Sequence, residues 1–245
     1  MSEVNHLSSH PSKTLASCVL ALGIALGGFF PGYYYYKTHI SNNSVTVKGL
    51  SEKDVIADLA IWKLKFVITE NNLQQGQKKI TEQAEKINAF LLKQGFKTDE
   101  ITIERIETTD LAANPYLNNN NASRFILTQS ITVRSPNVTL VESSIPQTDK
   151  LIADGIIFDS EGFPVSYIFT KLNDIKPQML ADATQNAKKA AEEFAKNSHS
   201  KVGKIRHANQ GVFSILPREQ TSSSYEAQQI NKTVRVVSTV EYWLD

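Results

Sequence analysis

The sequence predicts an α+β fold: two similar β-α-β-β units, helices packed on a mixed or antiparallel sheet, behind one N-terminal transmembrane helix. Three observations lead there. An apolar and aromatic run stands near the start, the strand candidates alternate apolar with polar residues, and two long amphipathic helices begin about 102 residues apart.

The apolar run extends from Leu15 to Tyr36, between Lys13 and Lys37. As a helix it rises by about 33 Å, enough for a hydrocarbon core of about 30 Å. Tyr33, Tyr34, Tyr35 and Tyr36 close it, and such amphipathic rings favour the membrane–water boundary. Pro31 and Gly32 offer an early break, which would leave Leu15–Phe30 as the uninterrupted part. A cleaved signal peptide is the competing reading, with Ala25-Leu26-Gly27 as its small-residue site, but that site lies inside the run. Leu15-Ala16-Ser17-Cys18 has the letters of a lipoprotein signal, yet residues 1–14 ahead of it are polar. The segment is therefore read as an uncleaved anchor following a short cytoplasmic tail. Gly23 and Gly27, and Gly28 and Gly32, have the spacing that lets helices approach closely, a spacing that also arises by chance in glycine-rich spans.

After a polar linker at 37–43, Ser44–Lys48 reads as a strand and Val55–Thr69 as a longer one. In the second, Trp62, Leu64, Phe66 and Ile68 share one parity and should face the core. A helix follows over Asn72–Gln94, with Leu73, Ile80, Ala84, Ile87 and Leu91 as its buried stripe. Asn71 or Asn72 can cap its start, and Gly95 can supply the left-handed residue at its end. Strands are expected at Glu100–Glu107 and Phe125–Arg134, separated by the asparagine-rich stretch Asp110–Ser123. Residues 136–159 form a connector with a short helix around Asn137–Ala153, interrupted at Pro146. The pattern then recurs: a strand at Val165–Lys171 and a helix at Asp174–Asn197 with the stripe Leu180, Ala183, Ala187, Ala190 and Phe194. Strands at Val202–Asn209 and Thr233–Trp243 follow, separated by the polar stretch Pro217–Asn231. The two units are expected at about 44–135 and 160–243.

Charge is balanced, with 26 Lys+Arg against 25 Asp+Glu. Such a chain is a poor ligand for nucleic acid, whose binding is dominated by phosphate neutralisation. Cys18 is the only cysteine, which excludes disulfides and cysteine chemistry from the domain. The sequence has no GxSxG, P-loop or GxGxxG motif. His199 and His207 stand eight apart without metal-site spacing, and a site there would need Asp182 or Glu193 in addition. The carboxylates Asp154, Asp159 and Glu161, and likewise Asp54 and Asp58, read as solvated loop chemistry. Lys188-Lys189 with Glu192-Glu193 reads as a solvent face. No catalytic residue, cofactor or metal ligand is assigned. The candidate interface residues are Tyr116 and Tyr225, each a lone aromatic in a polar loop, 110–123 and 217–231, at equivalent places in the two units.

Several segments are similar in order and spacing to the SIMPL domain family. They are Val45–Gly49, Ile61–Thr69, the glutamine-rich helix ending at Leu91–Gly95, Asp99–Ile103, Phe125–Val133, Gly155-Ile156, Ala181–Ala195 and Val234–Tyr242. The resemblance spans about residues 44–243. It implies a bacterial envelope protein of a family often labelled as of unknown function, some members being linked to oxidative-stress defence or self-assembly, and it transfers no catalytic residues. The anchor and the resemblance together imply a single-pass protein of the bacterial inner membrane with its C-terminal domain in the periplasm. That domain is expected to act without catalysis, by forming a homo-oligomer or binding an envelope protein. The alternative is a small molecule or peptide bound in a cleft between the two units, and an enzyme with dispersed residues is the third class.

Overall fold

The computed structural model describes residues 11–40, 43–113, 123–159, 165–219 and 225–245, with side chains of the first helix described over 17–36. Helix α1 (Pro11–Ile40) carries Pro31 in its interior and continues past it, so the expected early break does not occur. A proline removes one backbone hydrogen bond without ending a helix whose neighbouring turns are intact, and apolar spans tolerate it. Within α1, Ser17–Tyr36 is long and apolar enough to cross a membrane. Its aromatic end is ordered side by side, with the Phe29 and Tyr33 rings stacked at 6.0 Å.

Strand β1 (Ser44–Ile56) is one continuous strand, where two segments were expected. Gly49 and Ser51 alternate as buried positions with exposed Leu50 and Glu52, so a stretch that looks turn-like by composition keeps the strand period. The true break falls at Ala57-Asp58, whose N–H groups donate to Ile230 O (2.8 Å) and Ile168 O (3.0 Å). β2 (Leu59–Glu70) follows, then α2 (Leu73–Gln94). The Asn72 side chain accepts from the N–H groups of Gln74 and Gln75, and Gly95 closes α2 at φ 104°. Gly95 is needed because a side chain is strained in that left-handed region.

The strand expected at Glu100–Glu107 is split into β3 (Ile101–Ile103) and β4 (Glu107–Asp110). The gap is filled from β5 (Phe125–Ser135): Glu104 N–H donates to Ser130 O at 2.9 Å, and the Gln129 side-chain amide donates to Glu104 O at 2.8 Å. The connector forms α3 (Val138–Ser144), a 3-10 turn at Ile145–Thr148 with Pro146 in its first turn, and α4 (Asp149–Ala153), so the helix is interrupted at Pro146 as expected. β6 (Val165–Ile168) is shorter than expected, since α5 (Leu172–Asn197) starts directly after Lys171. β7 (Val202–Gln210), β8 (Ser214–Pro217) and β9 (Asn231–Leu244) complete the chain, β8 being a strand that the sequence pattern did not reveal.

One sheet has the order β3–β5–β2–β6 with β4 also on β5, every pair antiparallel. The other has the order β1–β9–β7, with β8 antiparallel to β9. β5 is flanked by β2 on one side and β3 and β4 on the other; β9 is flanked by β1 and by β7 and β8 in the same way. The repeated plan is therefore present with an exchange of strands. β1, from the start of the domain, stands beside β9 where β2 stands beside β5, and β6 extends the first sheet instead.

Packing divides the chain into two compact units, residues 1–48, 187–209 and 239–245, and residues 49–186 and 210–238. In the second of these, α2 lays Ile80, Ala84, Ile87 and Leu91 on Trp62, Leu64, Phe66, Leu127, Ile131 and Val133. Each of the large aliphatic and aromatic side chains contributes about 1.5–3 kcal/mol by leaving water. Leu73, placed in the stripe by sequence, is largely exposed. A smaller core in the same unit joins Met179 and Ala183 to Val234 and Val236. In the other unit, Ala187 and Ala191 pack with Val47, Val240 and Tyr242. The buried face of α5 is thus Met179, Ala183, Ala187, Ala191 and Ala195, at steps of four, and Phe194 is 62% exposed. The expected stripe through Leu180 and Phe194 was drawn by side-chain bulk. Alanines at steps of four let a helix approach its sheet closely.

Candidate interaction surface

The two polar loops leave equivalent hairpins, β4–β5 and β8–β9, and each is tied at its neck. At the first, the Arg124 guanidinium donates to both Asp110 carboxylate oxygens (3.1 and 2.9 Å). Arg124 N–H also donates to Asn71 Oδ1 at 3.0 Å, and Leu111 N–H to Arg124 O at 2.9 Å. The hydrogen-bonded Arg124 holds the Asp110 carboxyl below its ordinary range. Tyr116, proposed from sequence, lies outside the described residues.

At the second neck, Arg218 N–H donates to Asn231 O (3.3 Å), while Glu219 and Gln229 exchange two hydrogen bonds of 3.4 and 3.3 Å. Asp54 of β1 accepts from Thr233 Oγ1 (2.8 Å) and pairs with Arg218 (3.3 Å). A 3-10 turn at Glu226–Gln228 starts after Tyr225. Beneath it the side chain of Lys232 is completely buried, and its Nζ donates to Glu226 O and Glu226 Oε1, each at 2.5 Å. Lys232 shares its parity on β9 with Val234, Val236, Ser238, Val240 and Tyr242, all buried. Sequence reasoning misses this lysine, because its parity on the strand says nothing of the carboxylate that covers it. The result is a pinned turn that presents the Tyr225 ring to solvent, 70% exposed. Such an aromatic offers apolar area and a hydroxyl at low entropic cost to a partner.

The other candidates take structural positions. Asp58 accepts from Thr170 N–H (2.7 Å) and Thr170 Oγ1 (3.0 Å), and Asp159 pairs with Lys65 at 2.5 Å. Asp58 and Asp159 are thus ties between segments, not the solvated loop groups expected, while Asp54 ties segments and stays exposed. Asp154 is exposed, and Glu161 lies outside the described residues. His199 takes φ 57° where α5 ends, its N–H donating to Lys196 O at 3.3 Å. Among the described residues no group of three His, Cys, Asp or Glu is placed to hold a metal ion. Tyr33, Tyr34, Tyr35 and Tyr36 are all exposed at the end of the apolar span.

These features define a class: an antiparallel α+β protein with an N-terminal apolar helix and two hairpins tied at their necks. The chain belongs to the SIMPL family, described as proteins of unknown function (DUF541), whose profile matches residues 45–242. It is not a known enzyme family. A comparison with curated proteins finds no match.

Proposed function

We propose that this SIMPL protein is an anchored, non-catalytic interaction module of the bacterial inner membrane. Its domain lies in the periplasm and docks a protein partner, a second copy of the chain or another envelope protein, through the 217–231 loop. The observation that carries this reading is Tyr225, an exposed aromatic on a turn pinned from below by the buried Lys232–Glu226 pair. A turn ordered before binding loses less conformational entropy when a partner closes over it.

The test is photocrosslinking in intact cells. Benzoylphenylalanine at position 225 should give a discrete adduct, at twice the chain mass for self-assembly or at another mass for an envelope protein. The same group at Lys78, a solvent-facing position on α2, is the control. Equal, diffuse labelling from both positions would refute the docking role.

A further inference from the structure

We infer that the end of the β1–β9–β7 sheet nearest the anchor docks on the anionic headgroups of the membrane that α1 enters; this rests on α1 being a membrane anchor. The first argument is length. α1 ends at Ile40, and Asn43 is already part of the sheet end, accepting from Leu244 N–H at 2.9 Å. Three peptide steps between them span at most about 11 Å. The helical turn from Lys37 to Ile40 adds about 6 Å beyond the apolar span. Whatever angle the linker takes, Asn43 stays within about 17 Å of the last apolar turn. Lysine and arginine side chains and a Debye length of about 8–10 Å bridge much of that distance.

The second argument is what stands at that end. Lys201 and Asp245 exchange two backbone hydrogen bonds of 2.9 Å, so the start of β7 and the end of β9 lie beside the entry of β1. The cations gathered there are Lys196, Lys201, Lys204 and Arg206, all exposed. Among the described residues, Lys196, Lys201 and Lys204 are in no ion pair, while Arg206 pairs with Glu241 at 2.9 Å and covers the Trp243 ring at 4.5 Å. The acids near this end are Glu241, Asp245 and, on α5, Glu192, which lies near Tyr242 and pairs with Lys188 at 3.8 Å. Residues 43–48, 187–209 and 239–245 carry seven Lys and Arg against four Asp and Glu; residues 49–186 and 210–238 carry seventeen against twenty. The excess positive charge of a neutral domain is thus collected where the anchor attaches. A half-buried tryptophan under an arginine is suited to the headgroup layer, and unpaired lysines are suited to phosphate.

The test uses the full chain in nanodiscs, either of phosphatidylcholine alone or with about one third phosphatidylglycerol, doped with a headgroup-spin-labelled lipid. The readout is quenching of tryptophan emission. Trp62 is fully buried and adds a constant background. Quenching should be at least twofold greater in the anionic discs, fall towards the neutral-disc value in 0.5 M salt, and be lost in a Lys201→Gln/Lys204→Gln variant. That variant removes only unpaired surface charge, so its fold is retained. Equal quenching in both discs, or a variant that behaves as wild type, overturns the headgroup contact while the anchor stands. A chain that fails to enter the discs overturns the anchor and the proposal with it.

Discussion

Removing the carboxylate of Glu226 tests the pinned turn most directly. Lys232 has no exposed side-chain surface, and its Nζ bonds are to the carbonyl and carboxylate of Glu226. Deleting one partner of a fully buried pair costs about 3–5 kcal/mol, because the remaining charge is left unpaired. Here the cost is smaller for two reasons: the Glu226 side chain is 37% exposed, so solvent screens part of the interaction, and the Glu226 carbonyl still accepts from Lys232. Glu226→Ala should therefore destabilise by about 2 kcal/mol. For a domain of this size that lowers Tm by roughly 4–8 °C. Lys232→Met removes the charge that needs a partner, and the Glu226→Ala/Lys232→Met double variant should recover most of the loss. The assay is thermal unfolding of the full chain in detergent, followed by circular dichroism at pH 7. A Glu226→Ala protein within about 0.5 kcal/mol of wild type, or a double variant no more stable than Glu226→Ala, would refute the claim that this pair holds the turn.

Further expectations rest on other features. The Asp110 carboxyl is held below its ordinary range by Arg124, Glu104 by Thr132 and then Lys63, and Glu241 by Ser44 and then Arg206. Such groups add stability above their unfolded-state pKa, and that stability is lost as pH falls through the folded value. Tm should thus hold above about pH 5 and drop towards about pH 3, with a shallower drop in an Asp110→Asn/Glu104→Gln variant. A Cβ at Gly211 would fall on the carbonyl oxygen of Val237, so Gly211→Ala should lower Tm by several degrees in the same melts. The corrected face of α5 predicts a contrast: Phe194→Ser should leave stability within about 0.5 kcal/mol, whereas Ala191→Leu should cost about 1–3 kcal/mol by overpacking.

The sequence by itself determined the features set by neighbours along the chain. The apolar helix, the inward parity of Trp62, Leu64 and Phe66, the Asn72 cap and the Gly95 stop are all local periodicity or local dihedral preference, and each is where the residues predicted. The twin loops were legible as polar stretches, although their necks were not. Only the tertiary structure decided that β1 completes the β9 sheet while β6 joins β2, since strand pairing links residues almost 200 apart and no periodicity records it. It likewise decided that the alanines of α5 face inward in place of Phe194, because the sheet beneath leaves room for close approach and none for a ring. The burial of Lys232 under Glu226 belongs to the same class. A lysine reads as solvent-facing until a turn from six residues earlier folds over it and supplies the carboxylate that lets it stay inside.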